Sequence, residues 1–203
     1  GLATTTVSEL QLSACELLRL CPSPLMRALG EEIEQVAPED DVSIMLYGES
    51  GVGKEIAARA IREGSIRKER RFVVVDCTTL PPALVENDLF GHEQGAYTDA
   101  RQRRQGRLEH AHKGTLFLDE IGDLPRDFQP KFLRALEGGS FMRVGGNEEV
   151  HSDFRVIAAT NRNLWEMVEK GLFREDLFYR LNVYPITIPP LRDRKDDIVP
   201  LVE

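Results

Sequence analysis

An α/β domain, with a mainly parallel sheet covered by helices on both faces, is the fold the sequence predicts. Three observations point to it. Five strand-like runs rich in apolar residues, at 42–47, 72–75, 114–120, 154–159 and 184–188, alternate with stretches of helical spacing. Alternation of this kind builds parallel sheets, and strands buried on both faces read as apolar runs. The first run breaks into a loop with three glycines and resumes as a helix, and the third ends in two adjacent acids, Asp119 and Glu120. Polar groups gathered at the carboxyl ends of strands are where open α/β sheets bind ligands.

Taken in order, residues 1–22 are mixed in character, with a weak apolar pattern over 10–20, and read as a linker or N-terminal arm. Ser23 and Pro24 then form a helix start, with proline in the first turn. Leu25, Leu29, Ile33 and Val36 follow at helical spacing, and Pro38, Glu39, Asp40 and Asp41 end the element. A helix is predicted from Gly53 to about Glu63, and another over 81–90. Residues 91–104 do not read as a packed element; an exposed loop carrying an aromatic among small residues suits a contact tip. A helix over 124–136 contains Pro130, which must kink it or mark a boundary. Gly145, Gly146 and Asn147 supply turn chemistry for a hairpin between 141–144 and 148–151. Residues 162–170 are helical, and Pro189 and Pro190 end the last strand. The core domain is placed at 23–190, with 191–203 as the charged beginning of a further element.

Bulk properties narrow the function. The 203 residues are 41% hydrophobic and 30% charged, which suits one globular domain. No apolar run approaches the roughly 18 residues of a membrane span, and no signal-peptide pattern opens the chain; a cytoplasmic location is expected. A net charge of −8 argues against nucleic-acid binding by the domain as a whole. Cys15, Cys21 and Cys77 lack the spacing of a disulfide framework or a zinc site, and the four histidines are scattered.

The glycine loop carries the chemistry. Gly48, Glu49, Ser50, Gly51, Val52, Gly53 and Lys54 have the G-x-x-x-x-G-K spacing of a P-loop, followed by Glu55. Glycines let backbone N–H groups turn inward and approach phosphate oxygens, and the following helix adds its free N–H groups and positive dipole end. Lys54 then places an ammonium on the β- and γ-phosphates. The motif usually has Ser or Thr after the lysine, so Glu55 removes one hydroxyl ligand for Mg²⁺. Asp119 is expected to hold Mg²⁺, directly or through water, and Glu120 to polarise the attacking water, with pleat alternation sending the two acids to opposite sides. Asp76 ends the second strand, and Thr160 and Asn161 end the fourth, within reach of a γ-phosphate or water. No N-K-x-D element for reading guanine is present, and a small-molecule kinase has no need of acids in the order Asp119-Glu120. Pattern alone therefore reaches a Mg²⁺-dependent nucleoside triphosphatase.

From about residue 45 to 198 the sequence resembles the central AAA+ domain of bacterial enhancer-binding proteins, the activators of sigma-54 RNA polymerase. The resemblance rests on the P-loop with glutamate after its lysine, and on Glu86, Asn87, Asp88, Leu89, Phe90, Gly91, His92 and Glu93 leading into Gly95, Ala96, Tyr97, Thr98, Asp99 and Ala100. It rests also on the acidic strand at 114–121, on Ala158, Ala159, Thr160, Asn161 and Arg162, and on 173–183. It implies an AAA+ fold with a five-stranded sheet, ATP and Mg²⁺ as ligands, and residues 95–100 as the GAFTGA loop that contacts sigma-54. It also implies a ring, hexamer or heptamer, in which Arg174 and Arg180 reach the neighbouring subunit's nucleotide. Two departures bear, in turn, on sigma-54 engagement and on the control of hydrolysis. Tyr97 and Asp99 replace the family's Phe and second Gly in that loop, and Asp76 stands where an Asn holds the catalytic Glu inactive. The family's helical lid is expected to start at 191–203 and to lie mostly outside these 203 residues, and its DNA-binding helix-turn-helix to lie outside them. A rival expectation is a nucleotide-binding regulatory module that no longer engages sigma-54, with Asp99 as its mark.

Overall fold

The computed structural model describes residues 13–78, 82–97 and 100–198. Its centre is a five-stranded, all-parallel sheet whose strands lie side by side in the order 72–76, 115–119, 155–160, 44–47 and 184–187. In chain order the elements begin with α1 (Ala14–Leu20), α2 (Pro24–Val36), β1 (Ile44–Tyr47), α3 (Lys54–Glu63) and β2 (Phe72–Asp76). There follow α4 (Pro82–Phe90), β3 (Gly91–His92), β4 (Arg104–Gln105), the single turn α5 (Arg107–His110) and β5 (Thr115–Asp119). The chain continues through α6 (Gln129–Gly138), β6 (Ser140–Met142), β7 (Glu149–His151), β8 (Arg155–Thr160), α7 (Leu164–Glu169), α8 (Glu175–Leu181) and β9 (Tyr184–Thr187).

Strand alternation divides the interior into two cores. Ile44, Leu46, Phe117, Ile157, Ala159 and Ile186 face α1, α2 and α3, while Met45, Val73, Val75, Leu116, Leu118 and Ala158 face α4 to α8. Phe117 is fully buried and its ring stacks on Phe72 at 5.9 Å; burying a side chain of this size is worth about 1.5–3 kcal/mol. α3 lies close to the sheet because its inner face is Ala57, Ala58, Ala60 and Ile61.

Several elements differ from their sequence reading. Residues 14–20, read as part of an arm, form α1, which packs on α3. A capping box between Ser13 and Glu16 opens it, and Glu63 on α3 accepts hydrogen bonds from the Ala14 and Cys15 amides, at 3.1 and 3.0 Å. An acid placed there satisfies two free N–H groups and suits the positive end of the helix. In α2 the buried series is Met26, Leu29, Ile33 and Val36, while Leu25 is 46% exposed; Ser23 caps the helix and sets that phase. Pro130 does not kink a long helix. Two short 3₁₀ turns precede it, and it sits in the first turn of α6, where its missing N–H costs nothing.

Candidate nucleotide site

Residues 48–53 link β1 to α3 at the carboxyl edge of the sheet. Gly51 and Gly53 have φ of 79° and 98°, a region that favours glycine, and these turns bring the loop around to the start of α3. Gly48 N donates to Thr160 O at 3.2 Å, so the loop's first residue is stitched to the end of β8.

Lys54 is buried and points back into the loop. Its Nζ donates to Gly48 O at 3.1 Å, Glu49 O at 3.2 Å and Glu120 Oε1 at 2.8 Å. The other Glu120 oxygen, Oε2, accepts from the Asn161 amide at 2.9 Å. Here the expected pleat alternation fails: β5 ends at Asp119, and Glu120 takes a left-handed conformation with φ 50° and ψ 53°. That turn swings its carboxylate to Lys54. Strands β1, β5 and β8 thus bring the predicted lysine, glutamate and Asn161 together, the last through its backbone.

Asp119 and Asp76 end neighbouring strands in register. Burial, and then the charge of Glu120, raise the Asp119 pKa above its usual value. Asp76 Oδ1 accepts from the Thr78 amide at 2.8 Å and from its hydroxyl at 2.6 Å. Thr160 is fully buried, and its Oγ1 accepts from the Arg162 amide at 3.0 Å. Glu55 pairs with Arg59 one turn along α3. Ser50 lies at the exposed tip of the loop.

Arg174 and Arg180 are not part of this cluster. Arg174 forms a two-pronged ion pair with Asp176, at 3.0 and 2.6 Å, and its amide donates to the buried Gln129. Arg180 donates to Leu136 O at 2.9 Å. Within the contact-tip segment, Gly95 N donates to Ala100 O at 2.8 Å and Ala100 N to Tyr97 O at 2.9 Å. Tyr97 is 44% exposed with its ring edge-on to His92, whereas Ala100 is buried. Thr98 and Asp99 lie outside the described residues, as do 1–12 and 199–203.

Sequence reasoning missed two features beside the loop. Leu18, Met26, Val52, Ala57, Ile188 and Arg194 line an apolar cavity of about 100 Å³. Arg194, read only as part of a charged run, is buried and donates to Val52 O. The signal for either lies in packing between distant segments. A second cavity, about 410 Å³, opens between Gly48, Glu49, Thr160, Asn161, Trp165 and Phe178.

Residues 20–187 match the family described as the Sigma-54 interaction domain. The chain is 52% identical over 181 residues to the Nif-specific regulatory protein of Azotobacter vinelandii, covering 89% of this chain and 34% of that protein. It is 48% identical over 204 residues to the transcriptional regulatory protein ZraR of Klebsiella oxytoca, covering 99% of this chain and 46% of that one. The chain therefore spans less than half the length of each. The crystal structure of Brucella abortus NtrX in complex with ADP superimposes with a TM-score of 0.83 at 43% identity, covering 96% of this chain and 41% of that one. The same protein in complex with ATP gives 0.81 at 45% identity, covering 89% and 40%. With the family matched over most of its length and the P-loop, acidic strand and fourth-strand end in one cluster, this chain belongs to the Sigma-54 interaction domain family of AAA+ P-loop proteins.

Proposed function

We propose that the chain is the ATP-hydrolysing module of a sigma-54-dependent transcription activator, acting on sigma-54 RNA polymerase through residues 95–100. The observation that carries this reading is the convergence of Lys54, Glu120 and the Asn161 amide beside the phosphate loop. The relatives solved with ADP and ATP support a nucleotide there.

The cluster suggests how the chain's groups work. The Glu120 carboxylate lies on Lys54. Phosphate oxygens cradled by the N–H groups of residues 48–55 would compete for that ammonium, leaving Glu120 to accept a proton from the attacking water. Asn161 N–H then remains to orient the carboxylate or the water, and Thr160 holds the strand end in place. Asp119, with Asp76 beside it, fits a Mg²⁺ site by its chemistry: hard carboxylate oxygens, crowded and partly desolvated, are what such a cation neutralises. Mg²⁺ there would spread the negative charge of the β- and γ-phosphates. In a ring of six or seven subunits, Arg174 or Arg180 would complete the neighbour's site. DNA contact belongs to a domain outside these residues, and the module works in the cytoplasm. Among the described residues no helix is long and apolar enough to cross a membrane.

The test separates binding from chemistry in a protein that carries the following lid. Lys54→Ala should abolish or strongly weaken ATP binding. Glu120→Gln should still bind ATP while hydrolysis falls by about 10²–10⁴. Parent-rate hydrolysis by Glu120→Gln would remove Glu120 as the base. Tyr97→Ala should lose the complex with sigma-54 formed in the presence of a transition-state analogue. If the parent forms no such complex, the regulatory-module reading replaces activation.

A further inference from the structure

The chain following β9 crosses the P-loop and is tied to it at three points. Ile188 N donates to Tyr47 O at 2.8 Å, and Ile188 packs so closely on Gly48 that a methyl group there would lie 3.3 Å from Ile188 O. Arg192 forms a two-pronged ion pair with Glu49, both distances 2.8 Å. Arg194 Nη2 donates to Val52 O at 2.8 Å while its Nε donates to Pro189 O at 3.0 Å.

The three ties differ in kind. Arg192 and Glu49 are exposed, and such pairs contribute little. Arg194 is 4% exposed, and its planar fork fixes two carbonyls in one geometry. Its own position is fixed in turn. Asp197, fully buried, lies 3.9 Å from Arg194 Nη1 and accepts from Ser23 N at 2.8 Å and Ser23 Oγ at 2.6 Å. Ser23 caps α2 through the Met26 amide. A buried chain of polar groups thus runs from the start of α2, through Asp197 and Arg194, to the P-loop.

The Val52 carbonyl is an informative place to hold. It shares a trans, planar peptide with Gly53 N–H, so the two point in opposite directions. Gly53, at φ 98°, has no side chain to limit that peptide's rotation. Fixing Val52 O on Arg194 therefore aims Gly53 N–H away from Arg194. We infer that Arg194 is a positioning residue for phosphate binding, holding the Val52–Gly53 peptide in its binding orientation, with Asp197 and Ser23 as its anchor. This rests on the reading of residues 48–55 as a nucleotide phosphate site. Linkage makes the coupling reciprocal: nucleotide tightens the segment that follows β9, and anything that moves that segment changes nucleotide affinity.

The experiment uses the chain with ADP, followed by fluorescence competition against a labelled ADP, together with amide hydrogen exchange. Arg194→Lys keeps a positive charge near Asp197, but an ammonium cannot reproduce the fork on Val52 O and Pro189 O. It should bind ADP about tenfold more weakly. Exchange of the amides at 50–54 should quicken without nucleotide while those of β5 and β8 keep the parent's rates. Parent-like ADP affinity in a folded Arg194→Lys protein overturns the inference. So does faster exchange throughout the sheet, which would mark a general structural role. In the unaltered protein, saturating ADP should slow exchange at the Arg194 and Asp197 amides, and no slowing there also overturns it. ADP binding by Lys54→Ala at the parent's affinity would instead remove the underlying phosphate-site reading, and the inference with it.

Discussion

Glu120 and Asp119 are adjacent, yet their surroundings differ. Glu120 occupies left-handed backbone, which costs a non-glycine residue of order 1–3 kcal/mol, and the bonds to Lys54 Nζ and the Asn161 amide offset that. Asp119 remains on the strand, where burial and the Glu120 charge raise its pKa. The consequence for stability has a definite sign. A carboxyl with a raised folded-state pKa keeps its proton in the folded protein at pH values where the unfolded chain has lost it. Its contribution is fully present below the unfolded value, near 4, and is lost as pH rises through the folded value. Asp119→Asn, measured without divalent cations, should therefore melt higher than the parent at neutral pH. Its advantage should fade as pH falls to about 4. An Asn variant less stable than the parent at neutral pH would contradict the assigned cause.

At the scale of elements, the proposed contact tip stands on two small hairpins joined to each other. Between them, Glu93 N donates to Val144 O at 3.0 Å and Val144 N to Gly91 O at 2.9 Å. Arg143, almost fully buried, donates to Glu109 at 2.8 and 2.7 Å and to Glu93 at 2.8 Å, and those acids hold its guanidinium firmly in the charged form. Gly145, at φ 73°, lies so close to the tip that a Cβ there would be 2.7 Å from the Ala96 Cβ. The β6–β7 turn is therefore the floor on which residues 95–97 rest. Gly145→Ala should cost about 1–3 kcal/mol from backbone strain alone. It should also weaken sigma-54 binding more than nucleotide binding, since the displaced residue is Ala96. Equal losses of both, read from binding titrations beside a thermal melt, would show that the turn does not support the tip specifically.

For the molecule as a whole, the proposed trans role of Arg174 depends on its leaving its local partner. Its pair with Asp176 is exposed on both sides and screened by solvent, so releasing it costs little. That local pair therefore does not prevent the arginine from reaching a neighbour. An arginine supplied in trans is worth about 10³–10⁵ in kcat, so specific activity should rise with protein concentration in a lid-containing protein. Mixing Arg174→Ala or Arg180→Ala subunits with Lys54→Ala subunits should restore some hydrolysis, because each carries the part the other lacks. Flat specific activity across the dilution that dissociates the ring, with a dead mixture, would rule out the trans role.

By itself the sequence determined the five parallel strands, the P-loop, the acidic strand end and the 145–147 turn. Each is written in consecutive residues, where apolar runs and turn residues constrain the local backbone whatever lies across the fold. It did not determine which side of α2 is buried: Leu25 fits the helical series as well as Met26 does, and only the Ser23 cap and the packing of α1 select Met26. Nor did it place α1 on α3, because the Glu63 carboxylate that receives that helix is nearly fifty residues away in sequence. Pleat alternation would have separated Asp119 from Glu120 by face, but the turn at Glu120 is stabilised by Lys54 and Asn161, which the sheet order β5-β8-β1 brings near. Arg194 is the extreme case. In sequence it is one charge among several, and only closing β9 beside β1 carries its guanidinium to the Val52 carbonyl, 142 residues earlier in the chain.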